Sequence, residues 1–182
     1  MTDEAMLGTS GYPREPQDTY NTPIWCVERL LKHVILPRRI WEPACGAGNI
    51  TKALRDAGKI VFETDISKGK DFLKWVEMPV DYDCILTNPP YKLAMEFIEK
   101  ALELTRPTSG KVAMLLRNEY DCAKSRKHLF SGGELFPFVR KVVLTKRPRW
   151  IPDSTGAPRH NYAWFCWNWL SNPEDPPTIS YA

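Results

Sequence analysis

The tetrapeptide at residues 88–91 combines groups that can hold and position a planar amine. The side-chain amide of Asn88 and the backbone carbonyls of residues 88 and 89 are hydrogen-bond acceptors, and two prolines stiffen the corner that presents them. Tyr91 adds a π-face on which a flat base can stack. Acceptors that bind both hydrogens of an –NH2 group return electron density to its nitrogen and favour a positively charged transition state. We therefore predict nucleophilic chemistry at a planar amine, with these candidate catalytic residues: Asn88, Pro89, Pro90 and Tyr91.

A Gly-x-Gly turn follows the first predicted strand. Gly46 and Gly48 let the backbone approach a flat or extended ligand closely. Glu42 places a carboxylate beside the turn, which suits an ammonium group better than a phosphate. Thr51 stands where a dinucleotide-binding fingerprint would have its third glycine. Taken alone, the segment is better explained as a tight turn than as a ligand site.

Acidic residues follow the second predicted strand. Asp65 is placed to accept hydrogen bonds from ribose hydroxyls, but it could equally cap the next helix. Asp71 and Phe72 offer a carboxylate and an aromatic face for an adenine ring. Alternatively, Phe72 belongs to the core and Asp71 to a turn, and the sequence leaves these alternatives open.

Apolar patterning predicts the elements that position these residues. Thr22 as a capping residue and Pro23 at the first helical position open a helix. Further helices are predicted at residues 49–57, directly after the proline corner, and from Asp121 to near Phe130. Strands are predicted at residues 39–45, 60–65, 82–87, 111–116, 139–145 and 162–170.

This alternation of strands and helices implies an α/β fold, doubly wound, with a mostly parallel sheet covered by helices on both faces. The last two strands have no helix between them, which predicts an antiparallel hairpin at one edge of the sheet. Ligands of such sheets bind beyond the carboxyl ends of the strands. Because the glycine turn, the acidic residues and the proline corner all follow strands, we expect them to share one pocket. We assign the aromatic residues of the last strand to the core.

The bulk properties fit one soluble domain. The chain has 182 residues, 43% of them hydrophobic, which is enough to bury one substantial core. We predict a flexible N-terminal segment at residues 1–20, a single domain at 21–172 and an irregular tail at 173–182. The net charge of +3 is compatible with a polyanionic partner but does not identify one.

The cysteines favour neither a metal site nor disulfides. There are five of them, widely scattered, with no CxxC pair and no histidine near any of them in the sequence. We expect no metal, and we expect the cysteines to serve as small buried apolar residues of a cytoplasmic protein. The sequence has no recognisable signal peptide or membrane-spanning stretch, so we expect no membrane partner. The oligomeric state stays open, and a monomer is compatible with the sequence.

Together these motifs resemble the class I S-adenosylmethionine-dependent methyltransferases, specifically the N6-adenine branch that carries a [DNS]PP[YF] tetrapeptide. The resemblance covers roughly residues 20–170 and rests on TPIW, EPACGAG, ETDIS, DFL and NPPY. The later segments VAMLLRNEY, RKHLF, RPRWIP and YAWFCW resemble small phage-type DNA adenine methyltransferases. The resemblance implies a Rossmann-like sheet of seven strands in the order 3-2-1-4-5-7-6, with the seventh strand antiparallel.

The chain departs from the family pattern in two ways. The segment between Asp65 and Asp71 is so short that the usual helix between strands two and three must be short or absent. The chain also has no separate target-recognition domain, so sequence selectivity is either low or supplied by a partner.

The resemblance also implies the cofactor and the reaction. The cofactor would be S-adenosylmethionine, and the methyl group would go to the N6 amine of adenine in DNA, with RNA as a close variant. Asn88 and Pro89 would accept the amine, and Tyr91 would stack on the base. The implied cofactor-binding residues are Thr22, Pro23, Trp25, Glu42, Ala44, Cys45, Gly46, Gly48, Asp65, Ile66, Asp71, Phe72 and Asn88.

The long connection before the last predicted strand mixes cations with aromatic residues, which suits phosphate contacts and base stacking. An equally good explanation is a solvated connector. A target adenine in a duplex would have to be flipped into the pocket. The candidate nucleic-acid-binding residues are Lys146, Arg147, Arg149, Trp150, Arg159 and His160.

Two other functions fit the same residues. A glutamine side-chain amide is also a planar –NH2 group, so the corner would serve a protein N5-glutamine methyltransferase. Alternatively, the chain is a non-catalytic binding module that retains a methyltransferase fold, although the intact Asn88, Gly46 and Asp65 argue against loss of activity.

Overall fold

The computed structural model describes residues 21–131, 136–150 and 157–182, so the segment predicted to be flexible, residues 1–20, lies outside the described residues. Regular elements alternate along the chain, as the sequence predicts. The helices are α1 (Ile24–Leu31), α2 (Asn49–Asp56), α3 (Ala94–Thr105) and α4 (Lys127–Phe130). The strands are β1 (Arg39–Glu42), β2 (Ile60–Glu63), β3 (Cys84–Thr87), β4 (Lys111–Arg117), β5 (Phe138–Val143), β6 (Tyr162–Asn168) and β7 (Thr178–Tyr181).

The strands form one seven-stranded sheet in the order β2-β1-β3-β4-β6-β5-β7. The first four strands of that order are mutually parallel. Strand β6 runs antiparallel to both of its neighbours, β4 and β5, whereas β7 is parallel to β5. The predicted α/β fold with a mostly parallel sheet and an antiparallel hairpin is therefore confirmed.

The strand order implied by the resemblance is wrong in two places. Residues 64–83 contain only two short 3-10 helices, Ile66–Lys68 and Phe72–Lys74, so β2 forms the edge where a third strand was expected. As predicted, no α-helix follows β2 in this described segment. Capping carboxylates and Gly69 interrupt it too often for a regular element to form.

The seventh strand comes from the tail that was predicted to be irregular. Thr178–Tyr181 pairs with β5, so the hairpin of β5 and β6 does not lie at the very edge of the sheet. The backbone of Ala182 continues this pairing through hydrogen bonds with Val143 (2.9 Å) and Thr145 (2.8 Å). The tail supplies partners for backbone groups of β5 that would otherwise lie on an open edge.

Helices cover the sheet on both faces. Helices α1 and α2 pack on one face, and α3 and α4 pack on the other. The aromatic residues of β6 belong to the core, as predicted: the indole N–H of Trp164 donates to the carbonyl of Cys26 (2.8 Å), and that of Trp167 donates to the carbonyl of Leu129 (2.7 Å). Four cysteines are buried as expected, whereas Cys122 is exposed.

Two predicted helix caps are wrong. Helix α1 begins after Pro23, and the hydroxyl of Thr22 contacts another residue instead of capping the helix. Asp121 lies in a 3-10 helix, and α4 begins only at Lys127. The carboxylate of Asp121 accepts hydrogen bonds from Lys141 at 2.8 and 2.9 Å, because an ion pair with a buried lysine outweighs a local cap. Among the described residues, no helix has the length and hydropathy needed to cross a bilayer.

Candidate active site at the carboxyl ends of the strands

The segments predicted to share a pocket lie along one edge of the sheet. The glycine turn follows β1, Asp65 follows β2 and the proline corner follows β3, and these three strands are parallel neighbours. A hydrogen bond of 2.8 Å from Gly46 to Asp65 joins the first two segments, and a bond of 3.2 Å from Asn88 to Thr22 joins the proline corner to the residue before α1. The structure therefore brings these predicted residues together at the edge where α/β sheets bind ligands.

The glycine turn requires glycine for its backbone conformation. Gly46 (φ 49°) and Gly48 (φ 83°) lie in the left-handed region, which residues with a Cβ rarely adopt. Nothing lies within 4 Å of a Cβ built on Gly48, so its conformation and not crowding sets the requirement. Gly48 precedes α2, and its N–H donates to the carbonyl of Cys45 at 2.7 Å. Cys45 and Ala44 lie beside the glycines, Cys45 buried and Ala44 partly buried. A groove of about 480 Å³ between α2 and Glu63 reaches this turn but not the proline corner.

Asp65 connects the loop that follows β1 to the loop that follows β2. One carboxylate oxygen accepts from the backbone N–H of Gly46 (2.8 Å), and the other accepts from the N–H (2.9 Å) and hydroxyl (2.6 Å) of Ser67. Burial opposes ionisation of this carboxyl, but these donors outweigh it, so the pKa of Asp65 lies below its ordinary value. Asp65 thus caps the 3-10 helix that follows, which was the alternative to ribose binding. A carboxylate has about four acceptor sites, so these bonds do not exhaust it.

Glu42 is buried beneath the glycine turn, with 1% of its surface exposed. The hydroxyl of Thr51 donates to its carboxyl group. Burial raises the pKa of Glu42 to about 8, partly offset by the hydrogen bond from Thr51. In the free protein at neutral pH, Glu42 is therefore a mostly neutral acid instead of the charged neighbour expected from the sequence.

The structure favours a turn role for Asp71 and a core position for Phe72. Asp71 accepts from the N–H of Leu73 (3.1 Å) and caps a 3-10 helix. Phe72 is 2% exposed, and its ring packs against Trp41 and Phe97 at centroid distances of 5.2 and 4.9 Å. An adenine platform at Phe72 would require this packing to open.

Ile66 offers an apolar surface for a flat ring instead. It follows Asp65 directly and is 65% exposed. On the other flank of the site, Trp25 and Pro23 stand at the start of α1, both partly buried. The ammonium group of Lys146 lies over the Trp25 ring, 5.4 Å from its centroid.

The proline corner presents one end of the Asn88 amide to the protein. The Asn88 Nδ2 group donates to the hydroxyl of Thr22. The acceptor atom Oδ1 is therefore at the end of the amide that does not contact Thr22. Pro89 is buried, and the carbonyl of Pro90 accepts from the N–H of Leu93 at 3.0 Å, which closes the turn into α3. The corner is therefore held from both sides.

Tyr91 is exposed, and Arg117 covers one face of its ring. The guanidinium carbon of Arg117 lies 4.6 Å from the ring centroid, while 42% of the Tyr91 surface remains exposed. The Nε atom of Arg117 is buried without a hydrogen-bond partner in the described structure. Arg117 is not among the residues predicted from the sequence, although it ends β4 at the same edge of the sheet, where the carboxyl-end rule places ligand-binding residues.

The predicted basic connection begins and ends at the same edge as the proline corner. Strand β5 is parallel to β4, and β6 returns antiparallel with Tyr162 opposite Arg117, so both ends of the connection lie at the carboxyl end of β4. Arg147 donates to Asn161 (2.8 Å) and to the carbonyl of Pro158 (3.2 Å). Residues 151–156 of the connection lie outside the described residues.

The remaining residues of this connection differ in character. Burial and the nearby Arg117 lower the pKa of His160, which favours its neutral form. The ring of Trp150 packs against Tyr162 with centroids 4.8 Å apart and contributes to the core on the α1 face. The cations of the connection are all exposed: Lys146, Arg147, Arg149 and Arg159.

The described residues contain no group of three or more His, Cys, Asp or Glu side chains that could hold a metal ion.

Comparison with solved structures identifies methyltransferases of similar fold. A protein of Pyrococcus horikoshii with a provisional assignment as an RNA methyltransferase has a TM-score of 0.58 and 15% identity, over 90% of this chain and 94% of that chain. The 23S rRNA methyltransferase ErmE has a TM-score of 0.55 and 17% identity, over 85% of this chain and 70% of that chain. The magnesium protoporphyrin IX methyltransferase ChlM of Synechocystis PCC 6803, solved with bound S-adenosylmethionine, has a TM-score of 0.51 and 14% identity, over 79% and 76%.

No protein-family model matches the sequence, and no curated protein matches it. The identities to the solved structures are low, so the likeness concerns the fold and the order of the elements. The chain has the Rossmann-like fold that these methyltransferases share.

Proposed function

We propose that this protein is an S-adenosylmethionine-dependent methyltransferase that acts on the exocyclic N6 amine of adenine in DNA, with RNA as a close variant. The observation that carries the proposal is the rigid corner after β3, where Thr22 binds the Nδ2 end of the Asn88 amide. The acceptor end of the amide is then available to a planar amine beside the exposed ring of Tyr91. This arrangement has the donors and acceptors that the reaction needs.

The residues along β1 and β2 fit S-adenosylmethionine. The two left-handed glycines allow a ligand to approach the backbone closely, Asp65 retains an acceptor site for a ribose hydroxyl, and Ile66 offers an exposed apolar surface to adenine. Glu42 lies under the turn and gains charge if an ammonium group approaches it. When bound, the cofactor supplies a methyl group on a sulfonium centre. The likeness to ChlM, which was solved with this cofactor, supports the assignment.

The corner residues activate and hold the amine. Asn88 Oδ1 and the carbonyl of Pro89 accept the two hydrogens of the –NH2 group, which directs the nitrogen lone pair out of the ring plane. Tyr91 stacks on the base and fixes its plane. Buried Pro89 and the hydrogen-bonded turn at Pro90 keep the acceptors in place during the reaction. The nitrogen would take the methyl group as the bond from that group to the sulfonium sulfur breaks, the donor would leave as a neutral thioether, and one proton would pass from the nitrogen to solvent.

The charges at the same edge support a nucleic-acid substrate. Arg117 stacks on Tyr91, and the ends of the basic connection place Arg147 and Lys146 at the carboxyl end of the sheet. Cations around a pocket that accepts a flat base suit the phosphates on either side of a flipped nucleotide. Two of the similar solved structures are described as RNA methyltransferases, which is compatible with this substrate class.

The proposal is tested by offering the protein radiolabelled S-adenosylmethionine with duplex DNA, single-stranded DNA, RNA or a glutamine-containing peptide. We expect label in nucleic acid and none in the peptide. Label in the peptide alone would contradict the proposal and would indicate methylation of a glutamine side chain. The protein should also bind S-adenosylmethionine in calorimetry. If it does not bind at millimolar concentration, the proposal is wrong and the chain is a non-catalytic binding module.

A further inference from the structure

We infer that Thr22 is a positioning residue that holds the Asn88 side chain in the orientation required for methyl transfer. The two residues are far apart in sequence, yet the Nδ2 group of Asn88 donates to the Thr22 hydroxyl at 3.2 Å. Thr22 is 4% exposed and Asn88 is partly buried. The inference rests on the proposed function, because it concerns how Asn88 meets the target amine.

The need for such a residue follows from the chemistry of the amide. Asn88 carries one acceptor end and one donor end of nearly equal size, and rotation by 180° about its last side-chain bond exchanges them. Only the orientation with Oδ1 toward the target can accept an N–H of its –NH2 group. In the reverse orientation two –NH2 groups would face each other without an acceptor. The productive orientation therefore requires an acceptor for Nδ2 on the side away from the target.

Thr22 supplies that acceptor from a fixed position. It lies immediately before Pro23, whose carbonyl accepts from the N–H of Cys26 (2.9 Å) in the first turn of α1. The side chain of Cys26 is fully buried, and its carbonyl accepts from the Trp164 indole at 2.8 Å. The hydroxyl of Thr22 is thus anchored through the start of α1 to the core of the sheet. Because this hydroxyl does not cap α1, its contact with Asn88 is the role that the structure gives it.

The first set of variants tests the hydroxyl. Thr22→Val keeps the shape of the side chain and removes the acceptor, and we expect kcat to fall about ten-fold, as loss of one hydrogen bond predicts. Thr22→Ser retains the acceptor, and we expect it to keep most of the activity. Thr22 is also among the residues that the resemblance implies for cofactor binding, so the affinity for S-adenosylmethionine is measured beside kcat, and we expect the loss to lie in kcat. A Thr22→Val variant with normal kcat, or a loss that appears as weaker cofactor binding, would overturn the inference.

A double-mutant cycle separates orientation from mere support of the fold. A carboxylate presents an acceptor in either rotamer, so Asn88→Asp should be active and should make the orientation of this group irrelevant. We expect Thr22→Val to lower kcat at most about three-fold when it is combined with Asn88→Asp, against about ten-fold in the otherwise wild-type protein. Equal losses in the two backgrounds would assign Thr22 a purely structural role. An inactive Asn88→Asp variant would contradict the premise that position 88 acts as an acceptor.

A measurement without turnover distinguishes failure of this inference from failure of the proposed function. Selective 15N labelling resolves the two Nδ2 protons of Asn88, and the proton bound to Thr22 should exchange with solvent more slowly in the wild type than in Thr22→Val. Equal exchange would refute the contact even if the enzyme methylates adenine. Slow exchange with no methylation of any adenine substrate would retain the contact and refute the proposed reaction.

Discussion

The carboxylate of Asp65 accepts a hydrogen bond from the backbone N–H of Gly46 at 2.8 Å and thereby joins the loop after β2 to the loop after β1. The same carboxylate binds Ser67 through its other oxygen. One side chain therefore shapes both loops of the proposed cofactor site, so its removal should affect the loops as well as any direct contact with ribose.

We predict that Asp65→Ala lowers the free energy of unfolding by about 1–3 kcal/mol, because it leaves the partly buried N–H groups of Gly46 and Ser67 without their acceptor. The affinity for S-adenosylmethionine should fall at least about ten-fold, as loss of a charged hydrogen-bond acceptor predicts. Chemical denaturation and calorimetry measure the two effects.

Ser67→Ala is the matched control, because it removes a hydroxyl contact on Oδ1 and leaves the bond between Gly46 and Asp65. This variant should retain most of the cofactor affinity. Equal losses of affinity in the two variants would assign the effect to the 3-10 helix and not to the link with the glycine turn.

The buried acid Glu42 predicts an unusual dependence of stability on pH. Its pKa is about 8 in the folded protein against an ordinary value of 4.5, so between these values the native state holds a proton that the unfolded state has released. The free energy of unfolding should therefore fall as pH rises through this window, by about 1.4 kcal/mol per pH unit from this group.

Glu42→Gln removes this difference in bound protons. Its stability relative to the wild type should increase as pH rises from about 5 to about 8, the window between the two pKa values, as measured by urea denaturation of the protein without cofactor. Glu28→Gln, at an exposed position of α1, should follow the pH dependence of the wild type. A relative stability of Glu42→Gln that does not change with pH would mean that Glu42 ionises normally.

The contact between Arg117 and Tyr91 predicts an effect on substrate and not on cofactor. Arg117→Met should weaken nucleic-acid binding about ten-fold at low salt and make binding less dependent on salt, because one cation near the phosphates is lost. Affinity for S-adenosylmethionine should stay unchanged. Fluorescence anisotropy of a labelled oligonucleotide over a salt series measures the effect.

Arg106→Met is the control, because Arg106 also stacks on an aromatic ring, that of Trp169 at 5.5 Å, but lies after α3, beside the amino end of β4. This variant should bind nucleic acid like the wild type. If both variants bind equally weakly, the effect reflects overall charge and not the contact with Tyr91.

Much of the fold could be predicted from the sequence because its signals are local. Apolar runs such as Lys111–Arg117 and the stops that bound α2 identified six of the seven strands and the helices near the site. Strand β7 was missed because Thr178–Tyr181 is short and follows a proline-rich segment. Its formation depends on pairing with β5, and long-range pairing leaves no pattern in four residues.

The candidate site was predicted in outline, and its contacts were not. The rule that ligands bind at the carboxyl ends of strands located the turn at Gly46, the acid Asp65 and the corner at Asn88 correctly along one edge. The sequence could not decide whether Phe72 is buried, because that depends on packing against Trp41. Nor could it pair Thr22 with Asn88, because the two residues lie far apart in the sequence and meet only in the folded chain.

The most direct test of the proposed function is mass detection of methylated nucleosides after digestion of treated DNA and RNA, with the wild type and Asn88→Ala side by side. We predict N6-methyladenine in the nucleosides from the wild-type reaction. Asn88→Ala should yield none while binding S-adenosylmethionine as tightly as the wild type. Full activity of Asn88→Ala, or a methyl group found only at another position or on another base, would contradict the role of the proline corner.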